Sequence, residues 1–154
     1  MTTLTFGVND LPYSHSDNLG TVKKGKTKGA ARVATTGEVA EILEEKYHIM
    51  ETFWNLHGAE IIEDHSEALS GAFEGLLQGS PVSPNVFAAG NAETEARFRN
   101  FLSMREMDAL GIAGVPTKAS LVGASSRFKG KKGSPRPSFI DTGLLESSFV
   151  AEVE

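Results

Sequence analysis

Asp141-Thr142-Gly143 sets a carboxylate on a tight turn, the arrangement in which two facing aspartates share one proton and activate water. That aspartic-protease chemistry needs two such carboxylates, and the sequence holds one copy, thirteen residues from Glu154. As local physics the tripeptide reads better as a turn and helix cap. Four histidines, His15, His48, His57 and His65, are the other side chains suited to acid–base or metal work. No pair has the i, i+4 spacing of a helical zinc site; His57 and His65, eight apart, can share a face, and the four read as ordinary surface or core histidines. Acid pairs such as Glu44-Glu45 and Glu63-Asp64 stand among other acids, which is the pattern of a solvated helix face. The stretch GKTKGAAR, 25–32, suggests a phosphate loop, but lacks the first glycine at the right distance and an apolar strand to feed it. With no cysteine there is no thiolate nucleophile, disulfide or thiolate metal site. This reading assigns no catalytic residue, no cofactor, no metal and no enzymatic activity.

The elements that would position these residues belong to a chain of 154 residues, read as one domain over 1–154 and long enough to bury a core without staples. No stretch approaches the roughly 20 apolar residues that span a bilayer, and no secretion signal opens the sequence. Both point to a soluble intracellular product with no membrane partner. The net charge is −5, against a dedicated nucleic-acid binder, but its distribution is uneven. From Glu38 to Glu74 there are ten acids and one base, Lys46. Segments 23–32 and 127–136 hold five bases each and no acid, so they carry ten of the fifteen positive charges. They are expected to be flexible basic arms or loops, 20–33 and 124–137. An acidic face with two basic arms complements a copy of itself or a charged neighbour.

Alternation of Leu4, Phe6 and Val8 predicts a strand over 2–8. Thr35 or Thr36 as N-cap, with Glu38 in the first turn, opens a helix over 36–57. Its inward face is expected to carry Val39, Ile42, Leu43, Met50, Phe53, Trp54 and His57. The pattern continues through Ile61, Ile62, Leu69, Phe73, Leu76 and Leu77 until Gly79-Ser80-Pro81, as one long bent helix or two helices broken near Gly58. Gly71 and Gly75 lie on one face and would let another backbone approach. A further helix is expected from a cap at Asn91 to Gly111, with Phe98, Phe101, Leu102 and Met104 inward. Residues 111–126 read as loop plus a short strand, and Ser138-Phe139-Ile140 as extended. A single helical turn capped by Asp141 or Thr142 then leads into a half-buried strand with Phe149, Ala151 and Val153 on one face.

The tail DTGLLESSFVAEV, 141–153, has the pattern Asp-Thr-Gly-x-Leu-x-x-Ser-apolar-x-x-x-Val. Together with GVPTKAS, 114–120, and RFKGKKGSPRPSFIDTGLLESSF, 127–149, it resembles the head–tail junction (neck) and tail-completion proteins of tailed bacteriophages, the group typified by a neck protein of phage HK97. The resemblance covers roughly the last 45 residues; in that group the motif usually lies mid-sequence with further strands after it. It implies a structural virion protein: a homo-oligomeric ring, six- or twelve-fold, in the head-to-tail connector, collar or neck, or a tail terminator. It would be made in the host bacterial cytoplasm. Its partners would be copies of itself, neighbouring neck, portal-adaptor or tail-tube proteins, and packaged DNA by non-specific contact. Fold and interface anchors are then expected at Phe139, Ile140, Leu144, Leu145, Phe149 and Val153. Inter-ring or DNA contacts are expected at Lys23, Lys24, Lys26, Lys28, Lys129, Lys131, Lys132 and Arg136. The expected architecture is α+β, a long N-terminal helix or helix pair packed on a small antiparallel sheet with extended basic loops. The alternative is a small nucleic-acid-associated protein acting through the two Lys-rich loops.

Overall fold

A computed structural model of the protein describes residues 3–13, 34–124 and 133–153. The expected basic arms fall largely outside these residues, as do Lys23, Lys24, Lys26, Lys28, Lys129, Lys131 and Lys132. The architecture is α+β, with helices packed against a two-stranded antiparallel sheet. Strand β1 (Leu4–Val8) pairs with β2 (Phe149–Val153), in the register Leu4↔Val153, Phe6↔Ala151 and Val8↔Phe149. The alternation read in both segments is the one that puts Phe149 and Ala151 into the core.

Helix α1 (Thr36–Tyr47) starts on a full capping box: Thr35 Oγ1 accepts from the Glu38 amide and the Glu38 carboxylate accepts from the Thr35 amide. Thr36 is fully buried and latches 9–11 to the helix start, its Oγ1 donating to the Asn9 carbonyl and accepting from the Leu11 amide at 2.8 Å.

The helix breaks at His48, in the left-handed region at φ 51°, and α2 (Ile49–Leu77) follows at once. The expected break near Gly58 is therefore corrected: Gly58 is buried mid-helix, and a Cβ there would lie 3.1 Å from the Trp54 ring. Glu44 steadies the real break. Its carboxylate accepts from the first free amides of α2, Met50 at 2.7 Å and Glu51 at 3.2 Å, so an acid of one helix caps the next. The break re-phases the apolar pattern: Ile42 and Trp54, expected inward, are exposed, whereas Phe53 is fully buried.

Helix α3 (Ala88–Ser103) starts before Asn91, whose side chain bonds His65 instead of capping. Phe98, Phe101 and Leu102 are buried as expected, but Met104 is exposed because the helix has ended there and Arg105 turns left-handed at φ 62° into α4 (Glu106–Ala109). The strand expected within 111–126 is instead a short helix α5 (Lys118–Leu121), capped by Thr117 through the Ser120 amide. Ser138-Phe139 forms a turn, with Phe139 at φ 68°, where an extended piece was expected. Helix α6 (Leu144–Ser148) then leads into β2.

The core centres on Phe53. Its ring lies within 6.0 Å of those of Phe6, Phe98, Phe101 and Phe149, and Phe98 stacks on Phe149 at 4.0 Å. A two-stranded sheet is marginal alone; here α2 and α3 back it through these rings.

Candidate functional site

Three arrangements of side chains stand out. The first is a cavity of about 320 Å³ between α1, α5, α6 and the turn before α6, walled by Val39, Leu43, Tyr47, Phe139 and Leu145. Arg136 holds it together. Its Nε donates to the Ile140 carbonyl at 2.6 Å, Nη1 to the Ala124 carbonyl at 2.9 Å, and Nη2 pairs with Asp141 Oδ1 at 3.0 Å. Five fixed donors on a planar fork suit such a clamp.

The Asp-Thr-Gly motif is thus accounted for residue by residue. Asp141 is the counter-ion of Arg136, Thr142 Oγ1 accepts from the Leu144 amide at 3.0 Å, and Gly143, at φ 75°, makes the turn into α6. Beside it Ser138 Oγ accepts from the Thr117 amide at 3.1 Å and meets Ser120 Oγ at 3.2 Å, both serines being buried. Gly123 precedes the lining residue Ala124: at φ 62°, with a hypothetical Cβ 2.3 Å from the Gly133 carbonyl oxygen, the position admits only glycine, and the Gly133 amide donates to the Gly123 carbonyl.

The second arrangement is an ionic seam between α2, α3 and α4. His57 bonds Glu106 at 2.9 Å and lies 3.6 Å from Glu60; Arg97 bridges Glu60 and Asp64. The hydrogen bond to Asp64 raises the Arg97 pKa above its ordinary value, with burial acting the other way. His65 is placed separately, against the Ile61 carbonyl and Asn91. Among the described residues no group of three or more acids or histidines is set to hold a metal ion.

The third arrangement was not read from the sequence. Beyond Ile61, α2 carries an exposed apolar stripe: Ile62 (55 %), Leu69 (47 %), Phe73 (62 %), Leu76 (54 %) and Leu77 (81 %). The signal was present. At about 100° per residue these positions centre roughly 140° around the helix from Phe53, His57 and Ile61, so one helix cannot bury both sets on the same partner. Glu63, Glu67 and Glu74 form a row beside the stripe, and α2 has no lysine or arginine. Gly71 faces open space, so the expected close backbone approach is not met among the described residues.

The expected anchors fall mostly inside the subunit. Phe149 and Leu145 are core residues; Phe139 is half-buried with its ring 5.0 Å from that of Tyr47, Ile140 packs on the core, and Leu144 and Val153 are half-buried. Arg136 is occupied by the cavity clamp just described. No described helix is long and apolar enough to cross a membrane.

The class defined by the fold is an α+β unit in which a long helix, only partly buried, rests on a two-stranded sheet. No family model, no curated protein and no solved structure matches the chain.

Proposed function

We propose that the protein is a structural subunit of a tailed-phage virion, forming a ring in the head-to-tail connector or neck or completing the tail end. The carrying observation is the apolar stripe of α2. Monomers rarely leave a contiguous apolar patch of this kind bare, and subunits of larger assemblies use such patches as contacts. The C-terminal motif that resembles neck proteins supports the same reading, since here it serves the fold, as Arg136 clamp, turn and strand. In this role the protein does no chemistry and needs no cofactor. It acts in the virion, through copies of itself and through neighbouring neck, portal-adaptor or tail-tube proteins. The test is native mass determination with electron microscopy of the purified chain, alone and with phage portal or tail assemblies. Closed six- or twelve-fold rings are expected. A chain that neither closes nor binds those assemblies, but binds DNA, would sink the proposal.

A second reading, a nucleic-acid-associated role, has its own observation. The described residues that flank the two Lys-rich segments in sequence, Tyr13, whose amide donates to the Ala34 carbonyl, and Ala124, both line one cavity. Binding of duplex DNA whose logarithmic affinity falls steeply with logarithmic salt concentration would favour this role.

A further inference from the structure

We propose that the apolar stripe of α2 docks head-to-tail on the α5 corner of a second copy of this chain. The inference rests on the structural-subunit reading above and assigns the two surfaces that meet. The stripe repeats at 62, 69, 73 and 76, the three-, four- and seven-residue spacing by which one helix packs along another element. It exposes on the order of 600 Å², at the upper end of what monomers leave bare and most of the ~800 Å² that each partner of a standard interface buries.

Charge decides between occupants. The stripe is edged by Glu63, Glu67 and Glu74, with no cation on α2 to answer them. A symmetric antiparallel pair of α2 helices would bring this acidic row against its own copy, which is repulsive. An apolar surface with a basic border answers both features of the stripe. This chain displays such a surface at α5: Leu121 (53 %) and Val122 (44 %) are exposed side by side, and Lys118 is exposed on the same short helix. Two different patches of one chain that complement each other make a heterologous contact, which closes into a ring when the rotation per subunit divides the circle.

The test uses the full chain and two single-surface variants, Phe73→Glu and Leu121→Glu, with Leu76→Glu and Val122→Glu as second choices if either fails to fold by circular dichroism. Wild type is expected to assemble. Each variant alone is expected to run at monomer mass, and an equal mixture to form a one-to-one dimer, because each variant keeps the half-contact that the other lacks. If Leu121→Glu assembles as wild type does, or the mixture stays monomeric, the assigned contact is overturned while the subunit reading stands. A wild-type chain that stays monomeric alone and ignores tail assemblies overturns both.

Discussion

Thr36 does at residue scale what a whole turn does elsewhere. Its hydroxyl ties Asn9 and Leu11 to the start of α1 from a fully buried position. Thr36→Val keeps the shape and strands the Leu11 amide, so a loss of about 1–3 kcal/mol is expected in chemical denaturation, and Thr36→Ser should recover most of it. Glu146 offers a test by pH. Burial raises its pKa above the ordinary 4.5, with Arg99 acting against this. The folded state therefore holds this proton more tightly than the unfolded chain does. The favourable contribution is complete below the ordinary value and is lost as pH rises through the raised one. At neutral pH the half-buried carboxylate is a net penalty. Glu146→Gln is expected to raise stability near pH 7, by under about 1 kcal/mol given its solvent exposure, and to leave it unchanged near pH 4. A melting curve at the two pH values decides it; equal effects at both would refute the burial argument.

At the scale of elements the informative place is the α1–α2 junction. His48 sits left-handed without being glycine, while Glu44 caps the helix that follows. His48→Gly removes the steric cost of that conformation, so stability is expected to hold or rise by up to about 1 kcal/mol. Glu44→Ala should lower it by about 1 kcal/mol by freeing two amides. If His48→Gly instead destabilises strongly, the junction is held by something other than backbone geometry. The sequence concealed this break because both residues look ordinary there: a histidine and an acid on an acidic face, with apolar residues running on in helical rhythm. Glycine is the usual signal for such a site, and Gly58, ten residues on, carries that signal without the break. In the folded chain Gly58 answers to Trp54, whose ring lies over it.

Across the whole molecule, the division between the inner and outer faces of α2 separates stability from assembly. Phe53→Ala opens a cavity among four aromatic rings and is expected to cost about 3–5 kcal/mol. Phe73→Glu, on an exposed position, is expected to leave stability within about 0.5 kcal/mol of wild type while reducing self-association. Thermal melts and light scattering on the same two variants separate the roles. An unstable Phe73→Glu would mean the stripe is covered by the chain itself.

What the sequence determined alone was whatever depends on neighbours in the chain. The strand alternation of Leu4, Phe6 and Val8, the helix start at Thr35 or Thr36 with Glu38 in its first turn, the stop after Leu77 and the turn at Gly143 all follow from local propensity and period, and all are present. The α+β class followed from their order. Tertiary structure decided what depends on partners distant in the chain. It set Asp141 against Arg136, brought Glu44 to the start of the next helix, and divided the apolar residues of α2 between a core and a bare face. Periodicity shows that a helix has an apolar side. Only the packed fold, by offering α3 and the sheet to one stripe and nothing described to the other, decides which side is buried.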